Sequence, residues 1–253
     1  MKILLSPAKS LDFETPLATN YRTEPLFSKE TEKIQIALKK KSVSDLEQLM
    51  SLSNALATLN FERNQHFKIN PTEEETRPAL FAFDGDVYKG LEALTLNENQ
   101  LESAKDRIRI LSGLYGMLRP FDSIQPYRLE MGTKMEVAGV KSLYEHWRKN
   151  LTSYLENELS ENEIIVNLAS KEYSKAIDLK AFSGRVISPE FKDYKDGKLK
   201  IISFYAKRMR GVMARFLLET PDNELSVFEQ FESDGYRFDA SQTTDPLQPV
   251  YTR

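Results

Sequence analysis

Three short segments of this 253-residue chain carry side chains that do chemistry. Ser6-Pro7-Ala8-Lys9 follows an apolar run that reads as a strand, the place where α/β folds set ligand loops. Ser6 and Lys9 there can hold a phosphate or support nucleophilic chemistry. Asp84 and Asp86, with Lys89 close behind, offer acid–base or metal-binding carboxylates. Asn167 and Ser170 follow a second apolar run, and Tyr127, Arg128 and Glu130 can complete a pocket. Convergence of these loops on one cleft would favour an enzyme acting on a nucleotide or on a base in nucleic acid. Each segment also has a plain structural account: a strand-ending turn, a β-turn at Asp84-Gly85-Asp86 and a helix cap at Ser170. Catalysis is therefore the alternative reading, with Ser6, Lys9, Asp84, Asp86 and Lys89 as its candidates.

The leading reading comes from charge. Phe191 to Arg215 holds Lys192, Lys195, Lys198, Lys200, Lys207, Arg208, Arg210 and Arg215 against Asp193 and Asp196, a local +6 in a chain of net charge -3. At about 100° per residue, Met209, Val212, Met213, Phe216 and Leu217 share one helix face. Lys207, Arg208 and Arg215 lie roughly opposite, with Arg210 toward the margin. Such a face is either simply solvated or a phosphate-binding surface. From Pro221 to Ala240 the chain is acidic, with Asp222, Glu224, Glu229, Glu232, Asp234 and Asp239 against Arg237. Charge is thus segregated along the sequence, and a polyanion can be guided to one surface.

Composition removes several chemistries. With no cysteine there are no disulfides, thiolate nucleophiles or zinc–thiolate sites. The two histidines, His66 and His146, sit in no metal-binding or triad spacing. No metal site and no cofactor is expected. No run approaches the roughly 20 apolar residues of a spanning helix, and the N-terminal apolar run is too short for a signal peptide. A soluble, unsecreted protein is expected.

Several elements must position these groups. Strands are expected over Lys2 to Leu5, Glu163 to Ala169, Arg185 to Ser188 and Leu199 to Ala206. Helices are expected over Ser28 to Lys40, Ser44 to Met50, Ser53 to Phe61, Glu98 to Leu111, Leu143 to Leu159, Lys171 to Ile177 and Lys207 to Leu218. The irregular strand spacing predicts one compact α/β domain over 1–253, α+β-like, with a mixed sheet and surrounding helices. The tail 241–253 should lie extended or fray.

Residues 44–62 have the hydrophobic spacing of a helix-hairpin-helix, with a capping-box signature at Ser44 and Glu47. Leu46, Leu49, Leu52 and Ala57 take the packing positions, and Ser51 and Ser53 stand where that motif usually has glycine. A hairpin of this kind, at Ser51 to Asn54, can grip phosphate with backbone N–H groups; a plain αα-hairpin is the competing account. A rival hairpin lies at Leu111 to Leu118, with Gly113 as a helix C-cap. The following loop holds Arg119 and Arg128 among prolines and aromatics, suited to gripping anions or stacking on bases. The DNA-binding candidates are therefore Ser51, Ser53, Asn54, Arg119, Arg128, Lys192, Lys198, Lys207, Arg208, Arg210 and Arg215.

Together these segments resemble the peroxide stress protein YaaA family. The strings are ILLSPAKSLDF (3–13), PALFAFDGDVYKGL (78–91), RILSGLYGMLRPFDSIQPYRLEMGT (109–133), LYEHW (143–147), IVNLASKEYSKAI (165–177) and GKLKIISFYAKRMRGVMARF (197–216), with GYRFD (235–239) beyond. The resemblance implies a cytoplasmic bacterial protein that helps cells withstand hydrogen peroxide by limiting unincorporated iron, and with it oxidative damage to DNA and protein. It also implies DNA binding through a positively charged cleft and a helix-hairpin-helix. Two departures stand out: the hairpin lacks the usual glycines, and Ser10 stands where the family often has threonine.

Overall fold

The apolar run Ile3-Leu4-Leu5, with no residual exposure, lies at the centre of a five-stranded sheet in the computed structural model. The structure describes residues 1–17, 19–182, 184–220 and 224–253. In chain order, β1 (Lys2–Leu5) and β2 (Ser10–Leu11) precede α1 (Ser28–Lys39), α2 (Val43–Met50) and α3 (Asn54–His66). The short elements β3 (Arg77–Pro78), α4 (Ala79–Ala82), β4 (Phe83–Asp84) and α5 (Asp86–Leu91) lead to α6 (Glu98–Arg107). Then come β5 (Ile108–Ser112), β6 (Gly116–Leu118), β7 (Ser123–Ile124), α7 (Leu143–Glu158), β8 (Ile165–Asn167) and α8 (Lys171–Ser174). The last part holds β9 (Val186–Ile187), β10 (Glu190–Lys195), β11 (Lys198–Lys200), α9 (Ser203–Glu219), β12 (Glu232–Ser233), β13 (Tyr236–Phe238) and β14 (Val250–Thr252).

The expected mixed α/β class holds for this compact domain, but among the described residues its sheet is two sheets of five strands each, accompanied by two small strand pairs. The first runs β6-β5-β1-β8-β9. Here β1 lies parallel to both neighbours, Ile3 facing Ile108 on one side and Val166 on the other. The second runs β11-β10-β14-β13-β12, with β10 and β14 parallel. Its buried face is aromatic: Phe191, Phe231, Tyr236 and Tyr251 form a cluster that Phe216 of α9 joins through Phe231. One continuous hydrophobic core links the two sheets. Among the described residues no helix is long and apolar enough to cross a membrane.

Several boundaries differ from expectation. The helix read as Glu98 to Leu111 ends at Arg107, because Ile108 to Leu111 become the buried strand β5. A fully buried strand is a continuous apolar run, and periodicity does not separate it from a helix. The rival hairpin at Leu111 to Leu118 is consequently a β-hairpin, β5 against β6. Gly113 caps no helix there: a Cβ on it would stand 2.3 Å from the Leu129 carbonyl oxygen. Gly116, at φ +73°, meets the ring of Trp147, which donates its Nε1–H to the Gly113 carbonyl at 2.9 Å. The strand read as Leu199 to Ala206 stops at Lys200, and α9 begins at Ser203. The β-branched pair Ile201-Ile202 misled the period there, since β11 is an edge strand with one neighbour.

The segment 241–253 ends in β14, paired on both edges, with Tyr251 fully buried and donating its hydroxyl to Phe228 O at 2.6 Å. Local composition does not reveal this, because the strand is stabilised entirely by distant partners. The capping box of α2 is Ser42 with Asp45, two residues earlier than Ser44 with Glu47. Ser42 donates its backbone N–H to Asp45 Oδ2 at 2.8 Å, and Asp45 returns its own N–H to Ser42 Oγ at 3.1 Å.

Candidate functional site

The parallel pairing of β1 with β8 sets the loops after both strands side by side. Ser6 Oγ accepts the Ser170 N–H at 2.9 Å, and Ser6 O accepts the Tyr88 hydroxyl at 3.0 Å. Antiparallel pairing of β2 with β4 places Ser10 opposite Asp84 and so lays the Asp84-Gly85-Asp86 turn over the Ser6–Lys9 loop. Gly85 allows that approach, since a Cβ on it would stand 2.9 Å from Ala8 Cβ. The three loops thus converge on one open cavity of about 410 Å³. Ser6, Lys9, Asp84, Asp86, Lys89, Glu130 and Ser170 line it, joined by Glu172 and Tyr173 of α8 and by Lys207 and Arg210 of α9.

Asp12, just past β2, tethers this region. Its Oδ1 accepts the N–H groups of Glu14 at 2.9 Å and Thr15 at 3.0 Å. Hydrogen bonds from Thr15, together with the Glu14 N–H and the Arg77 guanidinium, hold its pKa down at about 2 against an ordinary 3.8. A carboxyl depressed on folding stabilises the fold above its unfolded pKa and loses that contribution as pH falls through the folded one. D12N is therefore expected to cost about 1 kcal/mol at pH 7, after allowance for partial exposure, and nothing near pH 2. Urea unfolding of both proteins from pH 2 to 7 checks this; a pH-independent difference would overturn it.

The α9 wall is positioned by contact of backbone with backbone. A Cβ on Gly90 would lie 2.1 Å from Arg208 O, and one on Gly211 only 1.7 Å from Val87 O. Two arginines then stitch the helices together. Arg208 Nη1 donates to Lys89 O at 3.4 Å, while its Nε donates to Asp234 at 3.2 Å. Arg215 Nη1 donates to Leu91 O at 3.1 Å and to Thr95 Oγ1 at 2.7 Å.

The basic helix is therefore divided. Arg208 and Arg215, expected as phosphate ligands, are committed to internal partners. Among the described residues, neither Lys207 nor Arg210 forms an ion pair, and both face the cleft. Burial pulls the Arg210 pKa down, opposed by the field of Glu190. Glu190 also binds Lys192 at 2.8 Å, whereas Lys198 stands exposed at the β10–β11 turn. Within the acidic stretch, Asp222 lies outside the described residues, and Asp234 serves Arg208.

Other expected residues also have internal roles. Arg119 binds the fully buried Asp122 and donates to Glu24 O at 2.7 Å, which makes it a structural clamp. Arg128 stands behind Glu130, 3.2 Å from its carboxylate, and Lys9 reaches the same carboxylate at 3.0 Å. Tyr127 is buried, its hydroxyl 2.7 Å from Ser112 Oγ, and Asn167 turns its Oδ1 onto the Ala169 N–H at 3.2 Å. Neither borders the cavity. Ser51 adopts φ 51°, the left-handed conformation for which the hairpin motif usually employs glycine. Ser53 caps α3 through the Leu56 N–H, and Asn54 Nδ2 donates to Glu47 at 2.8 Å, so those side chains are satisfied locally.

Sequence reasoning missed Glu172, Tyr173 and Tyr88. Glu172 accepts the Gly132 N–H at 3.0 Å and so ties α8 to the Glu130 loop; adjacency to Ser170 was the only signal. Burial drives the Tyr88 and Tyr173 pKa values up, which keeps both phenols protonated. The lining is balanced in formal charge, with Lys9, Lys89, Lys207 and Arg210 against Asp84, Asp86, Glu130 and Glu172. Since Lys9 pairs with Glu130 and Lys89 lies 3.9 Å from Asp84, the cations of the lining without an ion pair among the described residues are on the α9 side. That arrangement can hold phosphate on one wall and present carboxylates on the other. Among the described residues, no three His, Cys, Asp or Glu side chains group as metal ligands.

Residues 1–242 match the family model described as "Peroxide stress protein YaaA". The chain is also similar to a UPF0246 protein of Flavobacterium johnsoniae, 51% identical over 241 residues, covering 95% of this chain and 96% of that one. UPF0246 proteins of Bordetella avium (48% identical, 96% of each chain) and Aliivibrio fischeri (45% identical, 96% of this chain and 95% of that one) are similar over comparable lengths.

Proposed function

Because this chain belongs to the peroxide stress protein YaaA family and so has a role in peroxide stress, we propose that it acts there by binding DNA. The phosphate backbone lies along the α9 side of the cleft. The observation that carries this reading is the pair Lys207 and Arg210, without an ion-pair partner among the described residues and facing one open cleft inside an acidic protein. Contacts of this kind give affinity with weak sequence preference, since phosphates carry no base identity. The turn at Ser51 to Asn54 supplies a second backbone grip. Limitation of iron-dependent damage follows indirectly from DNA binding.

Fluorescence-anisotropy titration of duplex, single-stranded and branched DNA at several salt concentrations tests the reading. The slope of log K against log salt falls by nearly one per phosphate contact removed, so K207Q/R210Q is expected to lower it by about two. No binding by the wild-type protein to any form at low salt would end the reading.

One observation favours a second function. The Ser6–Lys9, Asp84–Lys89 and Ser170 loops meet around a cavity within the roughly 300–1,000 Å³ range of small-ligand sites. Such a site suits a single nucleotide, with Asp84, Asp86 or Glu130 as acid–base groups. Saturable binding of nucleoside monophosphates by calorimetry, lost in K9M, would support it.

A further inference from the structure

The start of α9 exposes apolar surface that the fold does not use. Phe204 is 57% exposed, the adjacent Ile201 54% and Tyr205 39%. Exposed apolar side chains gathered together, unlike ones scattered singly, mark interaction sites. Its rings are held in place. Phe204 meets Tyr205 edge to face at 5.5 Å, and the Arg253 guanidinium sits 4.3 Å from the Tyr205 centroid while bound to Asp193 at 2.7 Å. Tyr205 is thus anchored from below, and Phe204 is positioned with much of its ring in solvent.

Cations flank the aromatic pair on both sides. In the β10–β11 pairing, Asp193 faces Lys200 and Lys195 faces Lys198. All four side chains share the sheet face on which Asp193 binds Arg253, so the lysines lie on the Tyr205 side. In the other direction, Lys207 follows Phe204 by three residues and Arg210 follows by three more, one stripe of α9 leading into the cleft. The neighbouring acids are mostly engaged: Asp234 with Arg208 at 3.2 Å and Asp196 with Lys200 at 3.8 Å.

We propose that this strip is a track for single-stranded nucleic acid. A base stacks on Phe204, the flanking phosphates lie on Lys198 and Lys207, and the strand continues past Arg210 into the cleft. The proposal rests on the DNA-binding reading above and specifies the form of nucleic acid. A duplex hides its base faces and has no use for an exposed phenyl ring, whereas an unpaired base stacks on it whatever its sequence. A protein partner fits less well, because protein interfaces are depleted in lysine and lysines flank this ring.

F204A and F204W test the track. Residue 204 is exposed, so neither substitution disturbs the core, and the chain's single tryptophan, Trp147, is fully buried. An indole at position 204 is therefore expected to be quenched by an oligo-dT single strand and not by a duplex of equal length. F204A is expected to weaken oligo-dT binding roughly 5- to 150-fold and to leave duplex affinity within about twofold. If F204A binds oligo-dT as tightly as wild type, or loses both forms equally, the track is wrong while DNA binding stands. If the wild-type protein binds neither form, the DNA reading fails with it. Self-association in sedimentation abolished by F204A, with oligo-dT affinity unchanged, would assign the strip to protein contact instead.

Discussion

Replacing Gly211 by alanine is expected to destabilise the protein by about 3 kcal/mol or more and to lower its melting temperature by roughly 6–12 °C. In an open helix the same change would add about 1 kcal/mol of stability, because glycine forfeits backbone entropy on folding. Here the added methyl would stand 1.7 Å from Val87 O and 2.7 Å from Leu91 N. Both are backbone atoms of α5, which no rotamer change removes from the way. The reciprocal contact at Gly90 closes the other side of the crossing, so α5 and α9 can relieve the overlap only by separating. Separation unpacks Val87, Leu91, Met213 and Ala214 and pulls the Arg215 clamp from Leu91. It also moves Lys207 and Arg210 away from Lys89 and Asp86. DNA affinity should therefore fall along with stability. Urea unfolding of G211A decides the question, and stability equal to or above wild type would refute the crossing.

Arg109 is expected to show the other large effect. It is 3% exposed on β5, next to the central strand β1, with Nε held by both Glu158 oxygens at 3.0 and 2.8 Å. Its Nη1 donates to Lys105 O at 3.1 Å and to Ile108 O at 2.6 Å. Burial opposes its charge, but the Glu158 carboxylate outweighs that and the net pKa is raised. R109A leaves Glu158 mostly buried without its main counter-charge and opens a void beside the sheet. A loss of about 3–5 kcal/mol is expected for breaking a buried pair from one side. Removing both charges together, as R109M/E158L, should recover most of that loss, since two apolar groups of similar volume carry no desolvation penalty. Chemical denaturation of the single and double variants measures the coupling. Additive losses would show that the pair is not a unit.

Much of the site is legible in the sequence. The strand Ile3-Leu4-Leu5, the helices around Trp147 and Ile34, and three loops with paired polar residues were all readable from local pattern. Their meeting was not. It depends on β2 pairing with β4 and β1 with β8, contacts between segments far apart in the chain. The buried strand β5 was hidden inside an apparent helix because full burial erases the alternation that identifies strands. β14 was hidden for the converse reason, since its neighbours supply the stability that its own composition lacks.

The sequence by itself determined the residue types available for chemistry, the absence of thiols, the family and the concentration of positive charge before and within α9. Only the tertiary structure decided which charges are free. Lys207, Arg208, Arg210 and Arg215 sit on one helix and differ little in local pattern, yet Arg208 and Arg215 bind α5, its following turn and Asp234, while Lys207 and Arg210 face the cleft. Periodicity tells which way a side chain leaves its helix, but a charge is satisfied by whatever the rest of the fold brings within hydrogen-bonding distance. Here that is set by how closely Gly90 and Gly211 let two helices cross.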